Sequence, residues 1–118
     1  MLPDAQIDAI FQLSPHVRYV AVRRGDELTL REREGLADAS PAESDRYEEL
    51  FVNPALLTLA TQRGKLGCGG LRYLLVRYGH FFAFVRATEV GHVTVALEPG
   101  ADVVGLAGAI DALLGRRP

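Results

Sequence analysis

The chain has 118 residues, of which 48% are hydrophobic and 24% are charged, as in ordinary globular domains. Its formal net charge of -2 argues against binding to nucleic acid or to an anionic membrane, because both favour a concentrated basic surface. The single cysteine, Cys68, excludes an internal disulfide and is typical of a reducing compartment.

The first third of the chain predicts a helix followed by a β-hairpin. Pro3 to Leu13 has apolar residues at helical spacing, so it is predicted as the first helix. His16 to Arg23 is β-branched and alternating, and Glu27 to Arg33 follows it after a Gly-containing turn. Because the second of these strands is polar, we expect it at an edge of the sheet. One face of the first strand is predicted to carry Val17, Tyr19 and Ala21.

A long helical pattern follows, with a clear start and an interruption. Ser40 is predicted as the N-cap, with Glu43 reaching back to it as in a capping box. The pattern continues to Gln62, but Asn53 and Pro54 interrupt it. We expect a break at this point, with Pro54 beginning a second helix and Asn53 as its cap.

Three β-rich runs between residues 71 and 97 predict an antiparallel meander. The runs are Leu71–Tyr78, Phe81–Ala87 and Val93–Leu97, separated by short Gly-containing gaps. The first run is apolar on both faces, so we expect it to be covered on both. Asp102 is then predicted to cap a last helix, whose apolar stripe runs from Val103 to Leu114. One face of the first run is predicted to carry Leu71, Tyr73 and Leu75.

The sequence shows no targeting or membrane-spanning segment. The stretch MLPDAQIDAIFQ lacks a basic start, a long apolar core and a small-residue cleavage site. No apolar run approaches the length of a membrane span. We therefore expect a single cytoplasmic domain over residues 1–118, which does not bind a membrane.

No group of residues forms a recognisable catalytic, cofactor or metal site. The spacing of Cys68 and the histidines matches no metal-ligand pattern, and nothing is placed to orient Cys68 as a nucleophile. The Gly-rich stretch from Arg63 to Gly70 lacks the phosphate-loop pattern and precedes a strand. We therefore predict no catalytic residue, cofactor or metal, and no enzyme activity. The histidines are His16, His80 and His92, of which the last two are expected at hairpin ends.

Three further patterns allow a functional interpretation beside a structural one. Three arginines lie among aromatic residues, as in sheets that stack nucleic-acid bases, but the acidic charge balance favours arginines that extend to solvent from a sheet core. An aromatic run could line a pocket, so a small-molecule sensor with a profilin-like or PAS-like sheet is the alternative function. An acidic run is expected on the wet face of a helix, or as a docking surface for a basic partner. These sets are, in order, Arg72, Arg77 and Arg86; Phe81, Phe82 and Phe84; and Glu43, Asp45, Glu48 and Glu49.

The element order α-β-β-α-β-β-β-α and the local sequence pattern of the last third of the chain resemble the roadblock/LC7 family. Profilin-like and longin-like domains are the rival interpretation. The stretch LRYLLVRYGHFFAFV, followed by GHVTVALEPGADVVGLAGAIDALL, is similar to the final strands and last helix of bacterial and archaeal members. The resemblance implies an α+β fold with a single five-stranded antiparallel sheet. It also implies helices on both faces, with the first and last on one and the middle helix on the other.

The same resemblance implies a function in protein interaction. Members of the family usually dimerise through the third strand and the middle helix, and serve as platforms for small Ras-like GTPases without being enzymes themselves. Carried over by position, the homodimer surface would involve residues 71–78 and 54–62. The residues expected in it are Leu56, Leu57, Ala60, Leu71, Tyr73, Leu74, Val76 and Tyr78.

Overall fold

Five strands and a set of helices make up the computed structural model, which describes residues 3–115 and the side chains of residues 4–115. The elements are α1 (Pro3–Phe11), β1 (Val17–Arg24), β2 (Glu27–Glu32), α2 (Ala42–Tyr47), a π-helical turn (Glu48–Val52), α3 (Asn53–Gly64), β3 (Leu74–Arg77), β4 (Phe82–Ala87), β5 (Gly91–Leu97) and α4 (Val103–Leu114). Because α2, the π turn and α3 follow one another without a gap, we call residues 42–64 the middle helix.

The strands form one antiparallel sheet in the order β2-β1-β5-β4-β3. The helices α1 and α4 pack on one face of it, and the middle helix packs on the other. The predicted α+β class, element order and five-stranded sheet are therefore confirmed, as is the edge position of β2. None of the helices within residues 3–115 combines the length and the apolar character needed to cross a membrane.

The larger apolar core lies between the sheet and the pair α1 and α4. Ile7 and Ile10 of α1 and Ile110 of α4 are fully buried there against Phe84. Burying each such side chain contributes about 1.5–3 kcal/mol. The helix α4 begins as predicted, because the Asp102 side chain accepts a hydrogen bond of 3.2 Å from the Gly105 amide.

An irregularity in β1 corrects the predicted faces of that strand. The pairing of β1 with β5 shifts register between Val17 and Tyr19, as at a β-bulge. Val17 consequently packs in the core under α1 and α4, while Tyr19 and Ala21 face the middle helix. The alternation of the sequence alone could not reveal the bulge, because one extra residue in a strand moves every side chain before it to the other face of the sheet.

A buried arginine fastens α4 to the sheet, where a solvent-directed side chain was expected. Arg86 of β4 donates to the carbonyl oxygens of Asp111 at 2.9 Å and of Gly115 at 2.6 Å. Its guanidinium also lies 3.1 Å from the Asp111 carboxylate, which pairs with Arg72 as well. The end of α4 is thus held by a cation that complements the negative end of the helix dipole.

The middle helix differs from its prediction at its start. Pro41, not Ser40, occupies the N-cap position, and no side chain forms a capping hydrogen bond there. The predicted capping box is therefore wrong.

The predicted break at Asn53 and Pro54 is also wrong, because the helix continues through these residues. The Asn53 amide donates to the carbonyl of Glu48, five residues earlier, which is a π-type hydrogen bond. In a regular helix the Pro54 ring would meet the carbonyl of Leu50, four residues earlier. The wider π turn offers the room that this ring needs.

The strand β3 is shorter than predicted, with Leu74–Arg77 replacing residues 71–78. Residues 71–73 approach the sheet without pairing as a strand, so the alternation predicted for them fails. Leu71 packs with Leu74 and Val76 under the middle helix, whereas Tyr73 packs on the opposite face against Phe84.

Candidate interaction surface

A buried carboxylate joins the middle helix to the centre of the sheet. Glu49 lies on the π turn and is 0% exposed. Its carboxylate accepts hydrogen bonds from Thr94 Oγ1 at 2.5 Å, from Asn53 Nδ2 at 3.0 Å and from the Tyr19 hydroxyl. His92 Nε2 lies 2.9 Å from Glu49 Oε1. The helix is therefore bonded to β1 and to β5, two adjacent interior strands of the sheet.

These partners determine the charge of the network. Burial opposes ionisation of Glu49, but the hydrogen bonds from His92, Thr94, Tyr19 and Asn53 outweigh it, so the pKa of Glu49 is lowered. Burial and the adjacent Glu49 carboxylate raise the pKa of Tyr19. The stable arrangement is an anionic Glu49 with a neutral tyrosine as its donor. Three of the four partners lie at Oε1 and the Tyr19 hydroxyl lies at Oε2, so both carboxylate oxygens are hydrogen-bonded inside the chain, which indicates a structural role.

The network corrects the predicted surroundings of polar residues. Asp45 and Glu49 were placed on the wet face of the helix, but both are buried. His92 lies at the end of the β4–β5 hairpin as predicted, paired with Ala87, but it is buried beneath the middle helix. A signal did exist, because His92 and Thr94 alternate on one strand face while Glu49 and Asn53 are one helical turn apart. Such a match of polar residues across two elements can indicate a buried pair.

Two further carboxylates beside Glu49 have raised pKa values. Burial is the largest cause for Glu48, whose carboxylate lies 3.1 Å from the Tyr78 hydroxyl. Burial and the Glu48 charge raise the pKa of Tyr78 to about 12, so this hydroxyl remains a donor. Burial, together with Glu32 and the neighbouring glutamates, raises the pKa of Asp45 to about 6. The Tyr78–Glu48 bond ties the end of β3 to the middle helix.

The solvent side of the middle helix carries large apolar side chains. Tyr47 and Phe51 are 61% and 63% exposed, and their ring centroids are 5.3 Å apart. Leu59 is exposed on α3, and Leu66 is exposed in the loop that follows. Single exposed apolar residues are common, but an adjacent pair of aromatic rings in solvent is typical of an interaction surface.

The strand β3 leaves one side of its backbone open within the described residues, because it pairs with β4 alone. The Tyr78 amide donates to the Phe81 carbonyl at 2.9 Å, so Tyr78 and Phe81 form a hydrogen-bonded pair. In an antiparallel ladder such pairs alternate, which directs the backbone groups of Leu75 and Arg77 to the open side. An edge of this kind is a template for another strand.

The residues predicted for a homodimer surface have different surroundings in the structure. Leu57 is 7% exposed and packs against Ala83 and Val85 inside the chain. Four others pack around that cluster while remaining partly exposed: Leu71, Leu74, Val76 and Tyr78. Tyr73 lies on the opposite face of the sheet, and Leu56 and Ala60 are half-buried on α3. The structure thus gathers most of them around β3 and α3.

The other candidate residues are dispersed. Phe84 is buried under α1 and α4 while Phe81 packs on the opposite face, so the aromatic run does not line one pocket. Cys68 is exposed, with Arg63 Nη1 at 2.8 Å from its sulfur. Across the side chains of residues 4–115, no three His, Cys, Asp or Glu residues are placed to hold a metal ion.

Solved structures with the same architecture are known. A roadblock/LC7 domain from Streptomyces avermitilis has a TM-score of 0.69 at 19% sequence identity, over 94% of this chain and 90% of that one. The gliding protein MglB from Thermus thermophilus has a TM-score of 0.64 at 15% identity, over 96% and 85%. A structure of MglB in a tetrameric arrangement has a TM-score of 0.63 at 11% identity, over 93% and 85%.

The sequence itself matches no protein-family model and no curated protein. The likeness to the solved structures, which spans nearly the whole chain, shows that the fold is roadblock/LC7-like. The resemblance of element order and local pattern had predicted this fold.

The first prediction concerns the network around Glu49. Replacing Glu49 by glutamine removes the negative charge that its donors surround, so we expect the free energy of unfolding to fall by about 2–4 kcal/mol. Urea denaturation at neutral pH measures the change. The control is Glu43→Gln on the exposed side of the same helix, which we expect to leave stability unchanged. Equal midpoints for Glu49→Gln and the control would contradict the structural role.

The second prediction concerns Asp45 and pH. Its pKa is about 6 in the folded chain against an ordinary value of 3.8, so the folded chain holds this proton more tightly. The stability that the proton contributes is fully present below the ordinary value and is lost as pH rises through about 6. We expect Asp45→Asn to be more stable than the unchanged chain at neutral pH, by on the order of 2 kcal/mol.

Urea denaturation of both proteins across this pH range tests the second prediction. The advantage of the asparagine variant shrinks as pH falls, because Asp45 of the unchanged chain takes up its proton. A difference in stability that does not change with pH would show that Asp45 ionises normally.

Proposed function

We propose that this chain is a non-enzymatic, cytoplasmic homodimer that acts as a regulator of, or a platform for, a small Ras-like GTPase. The observation that carries the proposal is the open edge of β3 beside a helix with exposed aromatic residues. The fold supports it, because the roadblock/LC7 family is one of interaction domains. The tetrameric arrangement of MglB is consistent with self-association by proteins of this fold.

The proposed dimer forms by pairing β3 with the β3 of a second copy. The outward backbone groups of Leu75 and Arg77 are the ones that a new strand would bond. The half-buried side chains of Leu74 and Val76, together with Leu56 and Ala60 on α3, would be covered further by the partner. Leu57 is excluded from this contact, because it already packs inside its own chain.

The third prediction tests the strand pairing. The Leu75 amide faces the open side, so Leu75→Pro removes a donor from the proposed interface without removing a hydrogen bond to β4. We expect the unchanged chain to have a mass near twice 12.8 kDa by light scattering at low micromolar concentration, and the proline variant to be a folded monomer.

Leu75→Val is the matched control, because it keeps the amide at the same position and should remain a dimer. Circular dichroism of each variant confirms that the fold is retained. A monomeric unchanged chain, or a proline variant that is folded and still dimeric, would overturn the proposed pairing.

The proposed GTPase surface is the outer side of the middle helix. We expect Tyr47 and Phe51 to remain accessible after strand pairing at β3, because both are exposed and face away from the sheet. Aromatic residues of this kind commonly dominate the energy of protein interfaces.

The fourth prediction tests that surface. Phe51→Glu places a charge on an exposed ring position, so we expect the variant to fold while its affinity for the partner falls by about tenfold or more. The measurement is calorimetric titration with each Ras-like GTPase of the same genome, loaded with GDP or with a non-hydrolysable GTP analogue. Val104→Glu on α4 is the control, because it changes an exposed apolar residue on the opposite face.

Failure of every such GTPase to bind in either nucleotide state would contradict the regulatory part of the proposal. An equal loss of affinity with Phe51→Glu and Val104→Glu would contradict the assignment of the surface. The dimer is tested separately by the mass measurement, so the two parts can fail independently.

A further inference from the structure

A cleft of about 370 Å³ opens between β2 and the first turns of the middle helix. Alternate residues of β2, namely Leu28, Leu30 and Glu32, form one wall, because alternate side chains of a strand share a face. Ala42 and Asp45 belong to the opposite wall. The volume is at the lower end of the range for ligand pockets, so it suits a small molecule or a single side chain.

Asp45 is the unusual member of this cleft. It is 5% exposed, yet within residues 4–115 its carboxylate makes no hydrogen bond or ion pair. Buried carboxylates in folded proteins are normally paired or hydrogen-bonded, because an isolated buried charge is costly. Glu49, one turn further along the helix, illustrates the usual case with its four partners.

The charges that act on Asp45 in the cleft are those of other carboxylates. The carboxylates of Glu32, Glu49 and Glu48 all act on Asp45, and each disfavours its ionised form. Arg46 also lines the cleft, but it is exposed and forms no ion pair with Asp45 or Glu32 in the described part of the chain. The cleft therefore offers negative charge that no cation of the described residues neutralises.

The chemistry of the walls indicates which kind of ligand the cleft would bind. The two carboxylates that line the cleft, of Asp45 and Glu32, favour a cation with several N–H donors, and an ammonium group has three. Leucine side chains beside them favour an alkyl stem, which a hydrated metal ion lacks. We propose that this cleft binds a primary ammonium group on an apolar stem, with the ammonium at Asp45 and Glu32 and the stem against Leu28 and Leu30.

An amide-resolved NMR titration of the full chain near neutral pH tests this site. The probes are n-pentylamine, as a free amine, and Nα-acetyl-lysine-N-methylamide, as a model for the lysine side chain of a partner protein. The matched neutral probe is Nα-acetyl-norleucine-N-methylamide, which keeps the apolar stem and lacks the ammonium. We expect both cations, and not the neutral probe, to shift the amide signals of β2 and of residues 40–46.

The two cationic probes also separate the possible sources of the ammonium. Tighter binding of the lysine derivative indicates a partner's side chain, and binding of pentylamine alone indicates a small-molecule amine. Both outcomes support the ammonium site. The inference is overturned if neither cation binds, if the norleucine derivative binds equally, or if calcium or magnesium ions bind at these residues in place of the amines.

Variants locate the site within the chain. We expect Asp45→Asn to weaken amine binding by about tenfold or more, because it removes a charge-assisted hydrogen bond. Glu32→Gln should weaken binding less, because Glu32 is more exposed. Glu43→Gln, on the exposed side of the same helix, is the control and should bind normally.

Loss of binding by Asp45→Asn cannot be ascribed to unfolding, because the urea series measures the stability of this variant independently. Unchanged affinity in folded Asp45→Asn would overturn the assignment to Asp45. The result does not depend on the GTPase proposal, since the probes contain no protein partner.

Discussion

The hydrogen-bonded carboxylate of Glu49 determines how the middle helix sits on the sheet. A buried anion is tolerated only where donors replace water, and here the donors come from the interior strands β1 and β5 and from the helix itself. A member of such a network that is left unpaired in the interior is costly, so the network allows few alternative positions of the helix. The π turn that carries Glu49 also makes room for Pro54. The π turn therefore accommodates the proline ring within the helix and, through Glu49, fixes the orientation of the helix.

With the inner side of the helix fixed, its outer side is fixed as well. Tyr47 and Phe51 must face solvent, because Glu49 and Asn53 face the sheet. On the opposite face of the sheet, Arg86 performs a comparable task by holding the end of α4. Each helical layer is thus positioned by an ionic group as well as by apolar packing. Within the described residues the sheet has two edge strands, β2 and β3, each paired on one side only, and such an edge is a template for another strand.

The elements whose signal is local could be predicted well from the sequence. The three strands of the meander were placed within three residues of their observed ends, because Gly-containing turns and β-branched runs are read directly from neighbouring positions. The cap at Asp102 and the edge position of β2 are of the same kind. The errors at Val17 and at Asn53 have another origin, since a bulge and a π turn are each stabilised by distant partners. No local pattern distinguishes Asn53 as a cap from Asn53 as a buried donor to Thr94.

Buried polar groups are the hardest feature to predict from this sequence, and Asp45 and Glu49 show why. Both occur in an acidic run that reads as a solvated helix face, and both are buried within one turn of each other. Hydrogen bonds hold the pKa of Glu49 below its usual value, whereas Asp45 has no such bonds and its pKa rises to about 6. Burial alone therefore does not decide whether a buried carboxylate is ionised, because its hydrogen-bond partners also shift its pKa. Within the described residues, the chain gives the Glu49 carboxylate four hydrogen-bond partners and gives the Asp45 carboxylate none. The stability of the fold therefore does not explain why an acid occupies position 45.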